Sequence, residues 1–355
     1  MPLRSRRASG NGAAAPAVLR GGIDLGGTKV QAVVIKGEDE VLGQARHPTP
    51  TSGGVDDVIN ALATAITEAA KAAGVETAAL AGVGVGSPGE IDDANGTVAR
   101  ASNLPGMVER HPVGLDLSKA VGAPVRLGND VSVATLAEFE LGAGQPYRSI
   151  LGVFWGTGVG GGLILDGKPW HGRGGAGEIG HMVIKRGGAV CPCGRRGCME
   201  AYAGRRSIEA EALARVEKGT KTKLFKIMEK KGRDRLTSSV LAEAIAEGDE
   251  LTTWLVERAI KALGTGIASA INLLDVEAIV LGGGLGVRFG QDAADRIATA
   301  MQPHLFHDGR PPAIEVATLG DLGGAIGAAR LVSADGGASK TTTSSPSAAV
   351  TSSTI

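Results

Sequence analysis

The stretch "GEIGHMVIKRGGAVCPCGRRGCME", residues 177–200, holds all three cysteines of the chain. With His181 they read His-x9-Cys-x-Cys-x4-Cys, through Cys191, Cys193 and Cys198. Three thiolates and one imidazole match the tetrahedral donor set that Zn2+ takes in closed structural sites, where no position is left for water. The alternative is a chance cluster of thiols, or one disulfide and a spare. Crowding every cysteine into eight residues weighs against it. Gly194 and Gly197, between the ligands, permit tight turns that aim the sulfurs inward. The reading is a structural zinc.

Glycine-rich turns carry the second chemical signal. In "DLGGTK", Gly26 and Gly27 let the backbone approach a phosphate with its amides facing it, while Thr28 adds a hydroxyl, Lys29 a charge, and Asp24 a carboxylate able to hold Mg2+ through water. "WGTG" offers the same service through Gly156, Thr157 and Gly158, and "LGGG" adds Gly283 and Gly284 after another apolar run. One such turn is an ordinary hairpin as readily as a phosphate cradle; the three together favour a nucleotide. Two segments, "GVGSPG" and "GTGVGG", match G-x-G-x-x-G, but the first leads into a loop and the second into a strand. The dinucleotide fingerprint needs a helix there. A G-x-x-x-x-G-K-[ST] loop is absent, which excludes a Walker-type NTPase.

The elements that must position these residues alternate between strand and helix. "GGIDLGGTKVQAVVI" and "SILGVFWGTGVGGGLIL" each predict two strands about a glycine turn, a weak internal duplication. "DDVINALATAITEAAKAA" places Ile59, Leu62, Ile66 and Ala70 on one helical face, and a long helix near the C-terminus aligns Leu263, Ile267, Ala270, Ile271 and Leu274. "PVRLGNDVSVATLAEFELG" predicts a strand running into a helix, with Asn129 and Asp130 where the cap belongs. Two α/β domains around a cleft follow.

Composition sets the outer bounds. The 355 residues suit about two domains. Lys+Arg and Asp+Glu balance at 37 each, so no global field draws the chain to nucleic acid or to a membrane. The most apolar stretch is broken by glycines, and no membrane span is expected. The Arg-containing first 19 residues and the Ser/Thr-rich residues 335–355 predict disordered tails. Few cysteines and no export signal point to the cytoplasm.

In order, "DLGGTK", "GSPGEID", "NLPG", "LGND", "GTGVGGG", "GEIGH", "CPCGRRGCME" and "VLGGG" resemble the motifs of the ROK family (repressors, open reading frames, kinases) from about residue 21 to 332. "GEIGH" followed by C-x-C-G-x-x-G-C-x-E is the most specific part. The resemblance implies the actin-like ATPase fold: a small α/β domain over residues 20–133, completed by a returning helix at 321–332, and a large one over 134–320 with the zinc loop. It also implies a homodimer or dimer of dimers. Asp130 then resembles a catalytic base that also touches the sugar. Asn103, Asn129, Glu178, His181 and Glu200 resemble sugar contacts, and His181 with the three cysteines resembles the zinc set. Two departures are "CME" where "CLE" is usual, and "VFW" before "GTG" where smaller polar residues are common.

The function expected is ATP-dependent phosphorylation of a hexose, with glucose first and N-acetylglucosamine, N-acetylmannosamine, fructose or mannose as alternatives. Polyphosphate remains open as donor. Such catalysis is mostly positioning and charge stabilisation. The competing class is a sugar-responsive transcription regulator, which carries a DNA-binding domain before the first phosphate loop. Here 23 residues without helical pattern precede Asp24, so that reading is second. Taken alone, Asp130 reads more readily as a helix cap than as a base, and Glu178 and Glu200 as solvated surface acids.

Overall fold

The computed structural model describes residues 18–37, 39–101 and 104–332. Twelve strands and ten α-helices are assigned among them. The first half comprises β1 (Leu19–Leu25), β2 (Lys29–Lys36), β3 (Glu40–Pro48), α1 (Val55–Ala72), β4 (Val83–Ser87), β5 (Glu90–Asp92), β6 (Thr97–Ala99), α2 (Val113–Val121), β7 (Val125–Asn129) and α3 (Asp130–Leu141). Next come β8 (Ile150–Trp155), β9 (Val159–Leu165), β10 (Lys168–Pro169), α4 (Glu200–Ala203), α5 (Arg205–Glu217), α6 (Leu224–Lys230) and α7 (Ser238–Ala246). The chain continues with α8 (Glu250–Leu274), β11 (Ala278–Gly282), α9 (Gly283–Met301), β12 (Ala313–Val316) and α10 (Gly323–Arg330).

The strands form two five-stranded sheets, β3-β2-β1-β4-β7 and β10-β9-β8-β11-β12. Each is opened by an antiparallel hairpin about a glycine turn, β1–β2 and β8–β9, and continues in parallel pairs. The first sheet buries Ile23, Leu25 and Val30 with Leu62, Ile66 and Leu117 from α1 and α2. Burying one such side chain is worth roughly 1.5–3 kcal/mol, so the apolar face of α1 fixes that layer. The second sheet shares its larger core with α8 and α9. Leu263, Ile267, Ala270 and Ile271 are buried as their spacing predicts, and Leu274 packs at the margin of that core. The segment after "GSPG", expected as a loop, instead forms the small β5–β6 hairpin. Asp92 closes it by accepting from the Asn95 backbone N–H (3.2 Å) and side-chain amide (2.8 Å). Three-residue strands are too short to show an alternating pattern.

Helix α3 lies between the sheets. Val131 and Thr135 face the second: a Cβ on Gly160 would stand 2.6 Å from Val131, and one on Gly152 or Gly162 would stand 2.2 or 2.3 Å from the Thr135 hydroxyl. On its other side Val133 and Ala137 meet Gly327 of α10. Side chains at these glycines would push α3 away from both layers, which makes the glycine content structural. Helix α10 in turn lies on β1 and β4, with a Cβ on Gly22 or Gly84 only 2.0 or 1.7 Å from its backbone oxygens. The chain thus passes from the first sheet to the second after α3 and returns after β12. Among the described residues no helix is long and apolar enough to cross a membrane. The expected tails lie outside the described residues except for positions 18 and 19, and β1 already begins at Leu19.

Candidate active site

Three parallel strands of the first sheet end side by side. In register, Asp24 on β1 pairs with Gly86 on β4, and Gly86 with Gly128 on β7. With no side chain on Gly86, whose Cβ would lie 3.4 Å from Asp130 Cα, space opens between Asp24 and Asp130. Asn129 is the N-cap of α3, its Oδ1 accepting from Ser132 N–H at 3.1 Å. That resolves the capping alternative: Asn129 performs it, and Asp130 is the first helical residue. The cap uses one lone pair of Asn129 Oδ1 and neither of the Nδ2 donors.

The electrostatics mark Asp130 further. Its carboxyl is pushed up from 3.8 to about 7, by burial above all and then by the negative charges of Asp24 and Glu178, against the Val131 N–H that it accepts at 2.9 Å. Asp24 is raised to about 6, again by burial first, with the Lys29 ammonium opposing and Asp321 adding. Carboxylates from β1, from α3 and from the loop packed on β9 thus converge, and that of Asp130 is raised to near neutrality, where a general base is most effective. Lys29 itself pairs with Asp321 at 3.1 Å, across from the start of α10.

The second sheet delivers the other turns. Gly156, Thr157 and Gly158 join β8 to β9, and the backbone N–H of Gly284 stands 3.6 Å from where a Cβ on Gly156 would be. Gly283 opens α9 at φ 78, and a Cβ there would fall 2.5 Å from the Trp155 carbonyl. The first turns of α9, which kinks at Gly290 (φ 55), therefore abut the Gly-Thr-Gly turn, and their backbone N–H groups are suited to anionic oxygens. Arg205 supports the turn: its N–H donates to Gly156 O (3.0 Å) and its guanidinium to the Thr157 hydroxyl (2.8 Å). Arg205 carries no signal of this role in its local sequence, since an arginine opening a helix is unremarkable. The "VFW" departure also gains a reason. Trp155 is fully buried and donates its indole N–H to Ala203 O at 2.7 Å, tying the turn to α4.

Glu178 and His181 flank a single 3-10 turn, Ile179–His181, seated on β9 so closely that a Cβ on Gly180 would be 1.9 Å from Val159 O. His181 Nδ1 lies 3.8 Å from Cys191 Sγ, and Cys193 Sγ lies 3.8 Å from Cys198 Sγ. One ligand atom from each of the four falls within 4.8 Å of all the others. Tetrahedral zinc with bonds of about 2.3 Å to sulfur requires sulfur–sulfur edges of about 3.8 Å, so the donor set fits that metal. Burial pushes the Cys191 and Cys198 thiols up. Coordination as thiolates would offset that cost. His181 Nε2 is turned the other way, 3.8 Å from Glu178 Oε2.

Glu200 has partners within the protein. Its Oε2 accepts from Val159 N–H at 2.9 Å, its Oε1 lies 3.7 Å from Cys191 Sγ, and a Cβ on Gly158 would sit 2.3 Å from it. It bridges the cysteine loop and the Gly-Thr-Gly turn. Met199, in the other departure, is fully buried against Gly266 of α8. The DLGGTK turn is closed by Gly26 N–H to Lys29 O at 2.9 Å and by the Thr49 hydroxyl to Gly26 O at 2.6 Å, with Gly27 and Thr28 at its tip. Asn103 lies outside the described residues. Two surface hollows of about 130 and 400 Å3, around Asn272 and Ala298, include none of these residues.

The ROK family model matches residues 20–335. A glucokinase of Thermotoga maritima is 33% identical over 74% of this chain and 81% of its own length. An N-acetyl-D-glucosamine kinase of Pectobacterium atrosepticum is 31% identical over 87% of this chain and 97% of its own. The crystal structure of a ROK family glucokinase from Streptomyces griseus, in complex with glucose and AMPPNP, superposes with a TM-score of 0.75 at 30% identity, covering 88% of this chain and 98% of that one. The two sheets and their helices are the actin-like ATPase fold of such neighbours. The chain belongs to the ROK family.

Proposed function

We propose that the protein is an ATP-dependent hexose kinase and that glucose, phosphorylated at its 6-hydroxyl, is its substrate. The observation that carries this is Asp130: a carboxyl raised to about 7 at the start of α3, facing the charges of Asp24 on β1 and of Glu178 beside the 3-10 turn packed on β9. A sugar hydroxyl is a weak nucleophile. Asp130 accepts its proton as the oxygen bonds to the γ-phosphorus of ATP, while the bond from that phosphorus to the bridging oxygen breaks and ADP leaves.

The glycine turns hold the phosphates, with Gly26, Gly27, Thr28 and Lys29 from one side and Gly156, Thr157, Gly158, Gly283 and Gly284 from the other. Asp24 is the residue placed to hold Mg2+, which when bound neutralises charge on the phosphoryl oxygens. Asn129, Glu178 and His181 orient the sugar, His181 through Nε2. His181, Cys191, Cys193 and Cys198 would hold zinc, which when bound would fix the loop that bears Glu178 and Glu200; four protein ligands would leave it a structural role. Because relatives of similar identity are named for glucose and for N-acetyl-D-glucosamine, the test is a coupled ADP-release assay across glucose, mannose, fructose, galactose, N-acetylglucosamine and N-acetylmannosamine. Glucose should give the highest kcat/KM. A higher value for N-acetylglucosamine removes the glucose assignment and keeps the kinase; no ADP release with any sugar removes both.

A further inference from the structure

Glu138 is a carboxylate on α3 that plays no part in the site described above, yet it is only 4% exposed. A charge so deeply buried must be compensated, and this one is. Its Oε2 accepts from Ala143 N–H (3.0 Å), Thr318 N–H (3.1 Å) and the Thr318 hydroxyl (3.3 Å), and its Oε1 accepts from Leu319 N–H (2.9 Å). Ala143 stands in the segment leaving α3 for β8, and Thr318 and Leu319 stand in the segment returning from β12 to α10. These are the two places where the chain passes between the sheets.

We propose that Glu138 is a positioning residue for catalysis, clamping both crossings together so that the sheets hold one relative placement when the reactants are aligned. Neighbouring contacts follow the same line. Tyr147, in the first crossing, donates its hydroxyl to Glu315 on β12 at 2.7 Å, and Glu140 pairs with Arg330 of α10. Gly142 leaves room for the clamp, since a Cβ there would stand 2.0 Å from Glu138 Oε2. The clamp sits on the helix that Asp130 begins. A shift of the crossings therefore moves the base against the Gly-Thr-Gly turn on the other sheet. Hydrogen bonds to a sugar tolerate a small displacement, whereas misplacement by about 1 Å can cost about 10²-fold in the chemical step.

The inference rests on the kinase reading, and the test separates the two. In Glu138→Gln the side chain keeps its shape, but one of its two acceptor positions becomes an NH2 facing backbone N–H groups. Measured well below its melting temperature, the variant should lose at least tenfold in kcat, while sugar Kd by calorimetry changes less than about threefold. The decrease in radius of gyration seen by X-ray scattering when wild type binds sugar and a non-hydrolysable ATP analogue should shrink. A purely structural role predicts a lower melting temperature with kcat within twofold of wild type, and that result overturns the clamp. A wild type that phosphorylates no sugar overturns the kinase reading instead. Should Glu138→Gln not fold, the Tyr147→Phe/Thr318→Val double variant, which removes only hydroxyls from the same crossings, carries the test. Its kcat must fall at least threefold at unchanged sugar Kd, and unchanged turnover overturns the clamp.

Discussion

Replacing Asp130 by Asn tests catalysis and electrostatics in one variant. The folded carboxyl binds its proton up to about pH 7, whereas in an unfolded chain it would release it near 3.8. Between those values the folded state holds more protons than the unfolded one, so this group's contribution to stability falls as pH rises. At about 1.4 kcal/mol per tenfold change in proton affinity, the full cost above pH 7 is roughly 4 kcal/mol. Asn never ionises and avoids it. The favourable interaction of an acid with the first turn of α3, about 0.3–1 kcal/mol, is too small to reverse the sign. Asp130→Asn should therefore melt several degrees above wild type at pH 8, with the advantage shrinking to about 1 kcal/mol by pH 4.5. Sugar Kd should stay near wild type, because the amide still hydrogen-bonds a hydroxyl. Turnover should fall by roughly 10²–10⁴-fold, the range for loss of a general base. The assays are differential scanning calorimetry over pH 4.5–8, calorimetric sugar binding, and kcat with wild-type carry-over excluded. Lower stability at pH 8, or turnover within a few-fold of wild type, refutes the reasoning.

Three further variants probe the surroundings. Cys193→Ser should lower zinc from about one per chain, with sugar affinity and melting temperature falling together; active wild type without zinc by elemental analysis would contradict it. Gly283→Ala places a methyl 2.5 Å from the Trp155 carbonyl at φ 78, so ATP KM should rise at least about tenfold with sugar Kd little changed; an ATP KM within twofold of wild type removes α9 from the phosphate site. Glu200→Gln keeps volume but replaces one acceptor on a carboxylate that binds Val159 N–H beside the Gly-Thr-Gly turn. Both sugar and ATP KM should rise, and a change in sugar KM alone would return Glu200 to the simpler role of sugar contact.

Local signals were legible where one interaction decides the outcome. The α1 face, the two glycine hairpins and the cap at the β7–α3 junction follow from apolar periodicity and turn chemistry, which act within a few residues. The zinc cluster was legible because its donors are close in sequence and chemically distinctive. The cap alternative for Asp130 was not resolvable in sequence, since Asn129 and Asp130 cap about equally well and only the Ser132 bond shows which does so. Long-range roles left no trace. Glu138 reads as an ordinary helix acid until Thr318 and Leu319, some 180 residues away, arrive to donate to it. Nothing local to Glu200 says that Val159 N–H donates to one of its oxygens. Asp24 and Asp130 are half-buried, and the desolvation that raises their proton affinities comes from two sheets meeting across α3.

The central claim is phosphoryl transfer to a sugar hydroxyl with Asp130 as its base. The most direct measurement follows glucose and ATP by 31P NMR with purified wild type, under Mg2+, and runs Asp130→Asn beside it. The account predicts a sugar phosphate monoester resonance assigned to glucose 6-phosphate, growing in step with ADP, and no detectable growth over the same interval for the variant. ADP that appears without a sugar phosphate, or equal product from both proteins, contradicts it.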